Sequence, residues 1–203
     1  MGAVLSRGDA AQIIEEQRAV GARIVFTNGI FDLLHLGHIE YLQRARALGD
    51  LLIIGVNSDD STRRLKGPLR PVNPARERAQ VVVALECVDY AVIFDETTAE
   101  SLVAELRPDV YVKGGDYAGG ASSHTELLLS PEELRATLEE TRTAGLGERL
   151  PEAHIVASYG GSLALLPYLP DHSTTQLIER IVAAYAGATR NSEPLRHGDH
   201  EQA

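Results

Sequence analysis

His35 and His38 stand three residues apart in the stretch Thr27-Asn28-Gly29-Ile30-Phe31-Asp32-Leu33-Leu34-His35-Leu36-Gly37-His38. Neutral imidazoles donate hydrogen bonds, and at that spacing two rings can lie on one side of a turn with their N–H groups near the same oxyanion. A β-prone run precedes them and helical periodicity follows, so the pair falls where a helix begins. A helix N-terminus offers unpaired N–H groups and the positive end of the helix dipole, which attract phosphate. Gly37 removes a side chain that would block a nucleotide, and Gly29 permits an unusual turn or a close backbone approach. Phosphoryl and nucleotidyl transfer need positioning and charge stabilisation more than covalent help, and two imidazole donors aimed at the phosphate under attack supply both. Taken alone, the same histidines also fit surface residues or half of a zinc site. No Cys lies nearby to complete a metal site and Asp32 alone is thin support, so no protein metal ligand is assigned.

Three other stretches carry comparable chemistry. Ser173-Thr174-Thr175 precedes a helical run; hydroxyls there are ordinary caps, and with the free N–H groups they also form a phosphate cradle. Arg63-Arg64-Leu65-Lys66-Gly67 places three cations together in an acidic chain. In Val112-Lys113-Gly114-Gly115-Asp116-Tyr117 the glycines allow a ligand to approach, Lys113 offers a phosphate contact and Asp116 a hydroxyl acceptor; the alternative is a tight turn. Arg70 and Arg78 are weaker candidates, since Arg78 falls early in a helix where Glu77 or Asp89 could pair with it.

Periodicity supplies the elements that must position these groups. Residues 10–20 read as a leading helix and 23–27 as the first strand. Residues 38–48 have helical spacing, 51–56 are a nearly continuous apolar run typical of a buried parallel strand, and 74–85 are helical with Pro74 in the first turn. Strands at 90–94, 109–113 and 163–166 alternate with helices at 98–106 and 173–186. This pattern predicts an α/β fold with a five-stranded parallel sheet and right-handed crossovers. Ligands bind beyond the carboxyl ends of such strands, and the four chemically rich stretches all follow strands, so topology alone brings them to one edge. Residues 118–152 are long for a connection. Within them, Ser130-Pro131-Glu132-Glu133 predicts a capping box opening an inserted helix at 131–143. The expectation is a single domain over 1–187 with a polar, disordered tail at 188–203.

Asp and Glu number 29 against 19 Lys and Arg, a formal net charge of −10. That argues against broad nucleic-acid or anionic-membrane binding, which need a basic surface. Cys87 is the single cysteine and lies in an apolar run, so it is read as a core residue in a reducing compartment. With no secretory signal and no apolar stretch long enough to span a bilayer, a cytoplasmic protein is expected.

Residues 29–38 resemble the signature of the cytidylyltransferase-like nucleotidyltransferases, which share H-x-G-H with class I aminoacyl-tRNA synthetases. The resemblance implies a Rossmann-like, doubly wound fold, with His35 and His38 on the nucleotide phosphates, stabilising the pentacoordinate α-phosphate. It implies that Ile30 and Phe31 line the triphosphate through their backbone, beside Asn28, Gly29 and Gly37, and that Ser173, Thr174 and Thr175 bind phosphates. Lys66 and Thr174 join the histidines as catalytic groups. Asp32, Arg70, Lys113, Gly115 and Asp116 are placed on the substrate side, Asp32 chiefly as a holder of its loop. Leu65-Lys66-Gly67-Pro68, Arg70-Pro71-Val72-Asn73, the 112–117 stretch and the S-T-T run resemble most the D-glycero-β-D-manno-heptose 1-phosphate adenylyltransferases, often found as the C-terminal half of a bifunctional heptose kinase/adenylyltransferase. That implies ATP, a sugar phosphate acceptor, Mg²⁺ brought with the triphosphate, and a homodimer. Two alternatives stay open: a cytidylyltransferase for a polyol or amino-alcohol phosphate, and a non-catalytic nucleotide sensor. Against the glycerol phosphate enzymes, Tyr168 stands where they carry an Arg. An aminoacyl-tRNA synthetase fragment is disfavoured by the short acidic chain and the missing K-M-S-K-like loop.

Overall fold

The computed structural model describes residues 2–114, 126–140, 145–167, 169 and 172–186. Among them seven strands, β1 (Ala3–Leu5), β2 (Ile24–Gly29), β3 (Leu51–Asn57), β4 (Tyr90–Phe94), β5 (Val110–Gly114), β6 (Leu127–Leu129) and β7 (Ser162–Leu166), form one sheet in the order β1-β4-β3-β2-β5-β7-β6. The five expected strands are its centre and run parallel. The two additions are edges of three residues each: β1 pairs parallel with β4, and β6 antiparallel with β7.

The helices are α1 (Arg7–Ala19), α2 (Leu36–Arg46), α3 (Asp59–Lys66), α4 (Ala75–Val83), α5 (Glu100–Leu106), α6 (Pro131–Glu140), α7 (Leu146–Arg149), α8 (Glu152–Tyr159) and α9 (Thr174–Ala186). They cover both faces of the sheet. Alternate strand residues such as Phe26 and Ile53 pack with α1, α5 and α8. Their neighbours Val25 and Ile54 pack with Leu42 and Ala45 of α2 and Ala79 and Val82 of α4. Burial on both sides explains why all seven residues of β3 are buried and aliphatic runs predicted the strands well. Cys87 is half-buried against the second cluster, in keeping with a small core residue.

From β2 the chain steps outward to β3 and β4, then returns across the sheet to β5. The reversal lies between β2 and β5, where an open parallel sheet leaves a crevice at its carboxyl edge. Asn28 and Gly29 end one of these strands, Lys113 and Gly114 the other.

The inserted helix begins where its capping box predicts. Ser130 N and Oγ donate to Glu133 Oε2, at 2.9 and 2.7 Å, while Glu133 N donates back to Ser130 Oγ. Among the described residues it ends at Glu140; residues 141–144 lie outside them, as do Gly115, Asp116 and the 188–203 tail. The insertion is packed rather than free, with Leu134, Leu146 and Leu150 fully or nearly buried. α8 was not expected; it buries Ala153, Val156 and Ala157 and packs against α5. Among the described residues no helix is long and apolar enough to cross a membrane.

Candidate active site

β2 ends at Gly29 and α2 starts at Leu36, with His35 as its N-cap in extended backbone. The His35 ring makes no capping bond and instead lies against His38, ring centroids 3.9 Å apart. The Nδ1 atoms of both rings are buried without a hydrogen-bond partner. Burial, then the neighbouring His35, holds His38 down to about 4. Partial burial, then His172 and Arg180, holds His35 below its ordinary value. Both rings are therefore neutral at pH 7. Unsatisfied polar atoms in a buried site are costly, and a neutral imidazole keeps one ring N–H that can donate to an anion.

Gly37 serves this pair directly. A Cβ there would lie 3.1 Å from His35 Nδ1 and 3.1 Å from the Cβ of His172, so the glycine lets both histidines close in as well as leaving room for a ligand. A Cβ on Gly29 would stand 3.0 Å from the Phe31 ring. Phe31 adopts left-handed backbone, φ 49°, a conformation that costs energy for a bulky residue and tends to persist at functional sites. Its ring tilts against His38 at 5.6 Å.

Asp32 is 5% exposed and its carboxylate is fully engaged. It accepts from Arg70 Nε at 2.8 Å, Val72 N at 2.8 Å and Asn73 N at 2.9 Å, while Asn73 Nδ2 donates to the Asp32 carbonyl. Asp32 thus pins the 70–73 segment and reaches a substrate only through it. Arg78 completes the brace. At 1% exposure, it donates to the carbonyls of Ile30, Asn57 (2.8 Å) and Asn73 (2.9 Å) and to Asp59 Oδ1 (2.8 Å). The expected pairing with Glu77 or Asp89 is not made. Glu77 is its chain neighbour on a helix, and such side chains diverge; Asp89 instead meets Arg46 and Leu52 N.

Of the three cations after β3, Arg63 pairs with Asp60 and Arg64 donates to the Asp95 carbonyl. Lys66, exposed at the end of α3, has neither hydrogen bond nor ion pair among the described residues. Lys113 Nζ donates to Asn28 Oδ1 at 2.9 Å, the same oxygen that Tyr111 Oη meets at 2.7 Å. Burial pushes the Lys113 ammonium down and the nearby Glu152 opposes that shift. Ser173 caps α9: its Oγ accepts from Gln176 N and its N–H donates to Gln176 Oε1, both at 3.1 Å. Tyr41, bonded to Thr27 at 2.6 Å and to the Val112 carbonyl, ties α2 to β2 and β5.

A cleft of about 830 Å³ gathers these groups. Residues 28–32, His35, Gly37 and His38 line it from the loop after β2, Lys66 and Arg70 from beyond β3, Lys113 from β5, and Ser173, Thr174 and Thr175 from α9. Every described residue assigned to the site from sequence is therefore at one place; Gly115 and Asp116 lie outside the described residues. Sequence reasoning missed His172, whose position beside S-T-T was a usable signal, and also Thr98, Arg149 and Glu152, which carried none. A cleft with neutral imidazole donors, a helix start and an unpaired lysine suits a triphosphate and the charge that develops when one of its phosphates is attacked.

Residues 26–180 match the family model described as Cytidylyltransferase-like. "Bifunctional protein HldE" of Syntrophotalea carbinolica is 45% identical over 179 residues, covering 88% of this chain and 31% of that protein. The protein of the same name from Geobacter sulfurreducens is 46% identical over 175 residues, 86% of this chain and 30% of its own length. The chain thus spans about a third of the length of the curated relatives it matches. The crystal structure of the lipopolysaccharide core biosynthesis protein from Thermoplasma volcanium GSS1 is 38% identical, with a TM-score of 0.43, over 47% of this chain and 77% of that one. With the family match running from within β2 into α9, this chain belongs to the cytidylyltransferase-like family.

Proposed function

We propose that the chain is a nucleotidyltransferase that moves AMP from ATP to D-glycero-D-manno-heptose 1-phosphate, giving ADP-heptose and pyrophosphate. The observation that carries nucleotidyl transfer is the pair of unpartnered imidazole nitrogens at the start of α2, in one cleft with the start of α9. ATP and the heptose are supported by the motif resemblance and by the bifunctional relatives at about 45% identity.

The acceptor is already anionic at neutral pH, so no protein nucleophile or general base is required. A phosphate oxygen of the sugar attacks the α-phosphorus in line and the pyrophosphate oxygen leaves opposite. Negative charge gathers on the non-bridging oxygens. His35 and His38 meet it as donors, Thr174 with the N–H groups of the first turn of α9, and Lys66 as a cation. Asp32 and Arg78 keep the 30–35 and 70–73 segments in place while this happens. Mg²⁺ arriving with the triphosphate would offset leaving-group charge. Among the described residues no cluster of three His, Cys, Asp or Glu is built to hold it; the donor set suits an ion that arrives on the triphosphate and keeps its waters. A cytoplasmic, homodimeric enzyme belongs to the same proposal, the dimer to be checked by light scattering.

The test is pyrophosphate release by the purified chain with each of four nucleoside triphosphates, paired with heptose 1-phosphate and with glycerol phosphate. ATP with heptose 1-phosphate should be the best pair. CTP with glycerol phosphate in first place would move the assignment to the polyol cytidylyltransferases, and nucleotide binding without turnover would make it a sensor.

A further inference from the structure

The cleft has two unlike ends. One gathers His35, His38, Lys66 and the start of α9, groups suited to phosphates. The other is reached from the opposite face of the sheet. It is formed by Thr97 and Thr98, which follow β4, and by Arg149–Glu152, at the start of α8, which packs on α5 and β7.

Glu152 is the unusual member. It is 4% exposed yet lines the cleft. Among the described residues its hydrogen bond is the one from Ala99 N to Oε1, 2.8 Å. Among the described residues it forms no ion pair; Lys113, whose ammonium it favours from a distance, is hydrogen-bonded to Asn28. An ionised carboxylate offers about four acceptor positions, and one buried without a hydrogen-bonded cation needs other donors to reach it. A neutral group rich in hydroxyl donors would be held, with Thr97 and Thr98 alongside and the side chain of Leu150 as an apolar floor. The mixture of carboxylate and hydroxyls, with no aromatic face beside it among the described residues, suits a polyol better than a flat base.

We propose that residues 149–152, with Thr97 and Thr98, form the acceptor subsite, with Glu152 accepting hydrogen bonds from the hydroxyls of the sugar whose phosphate attacks. The inference rests on the nucleotidyltransferase reading for its chemistry, and it makes the insertion the part that selects the acceptor. Ala99 and the α5 backbone keep their partner when Glu152 becomes an amide, so Glu152→Gln removes the charge with little disturbance to the fold.

The experiment is steady-state kinetics of the full chain and of Glu152→Gln, with ATP and heptose 1-phosphate varied in turn. KM for the sugar phosphate should rise roughly tenfold or more, as expected when a hydrogen bond to a charged group is lost, while KM for ATP stays within about twofold. The preference for heptose 1-phosphate over glycerol phosphate should narrow. A change in KM for ATP alone, or no change in either constant, overturns the inference. Thr97→Val, at an exposed position, provides a second variant should Glu152→Gln melt early, with a smaller rise in the same constant and the same contrary outcomes. If the wild-type chain releases pyrophosphate only with a different phosphorylated acceptor, the heptose assignment fails by itself, and the two variants are read against KM for that acceptor.

Discussion

The two walls of the cleft are held in different ways. The wall after β2 is fixed by buried ionic bonds: Asp32 and Arg78 between them bind three segments of backbone, and both are nearly inaccessible to water. The wall from the insertion is held chiefly by apolar packing of Leu146, Leu150 and α8, together with hydrogen bonds such as those from Ala99 N to Glu152 and from Arg135 to the Ala157 carbonyl. Transition-state stabilisation depends on geometry to within fractions of an ångström, so the first wall must be rigid. Acceptor choice tolerates more variety, and an inserted segment can alter it while the donors around the phosphate stay in place.

Breaking the first wall should have the largest effect. Arg78→Ala takes the guanidinium from three carbonyls and leaves the Asp59 carboxylate with Ala75 N but no cation, and chemical denaturation should show a loss of about 3–5 kcal/mol. A loss below about 1 kcal/mol would mean that the brace is dispensable. His38→Ala should leave the fold intact and lower kcat by about 10²–10³; loss of ATP affinity with kcat preserved would reduce the histidines to binding groups. Gly37→Ala should cost less, about tenfold in kcat, because its methyl group presses on His35 and His172 at 3.1 Å. Melting temperature should barely move.

The smallest effect is on pH, and its sign follows from the imidazoles. A histidine held neutral in the folded state contributes stability that is complete above the ordinary value of 6.5 and fades as pH falls toward about 4, because the unfolded chain takes the proton first. A triphosphate reverses the preference by favouring the charged rings. Nucleotide binding should therefore take up protons and tighten as pH falls from about 7.5 toward 6, and calorimetry in buffers of different ionisation enthalpy reads this directly. Proton release on binding would contradict it.

What the sequence disclosed, and what it hid, follows the same division. The five central strands were legible because burial on both faces leaves aliphatic runs such as Leu51–Asn57. β1 and β6 were not, since three residues carry no periodicity. α8 was missed because two of its four buried residues are alanines, which mark no apolar stripe. The phosphate-binding loops were legible because helix starts, glycines and paired histidines constrain residue type. Arg78 and Glu152 were not, since their partners include backbone groups 48 and 53 residues away, and a backbone carbonyl or N–H leaves no trace in residue type.

Nucleotidyl transfer is tested most directly by following the α-phosphorus itself. With ATP labelled at that atom and heptose 1-phosphate in excess, a single turnover of the wild-type chain should carry the label into the sugar nucleotide and none into pyrophosphate. The His35→Ala, His38→Ala double variant should still bind ATP and transfer almost no label. Transfer by that variant at the wild-type rate would contradict a catalytic role for the two imidazoles.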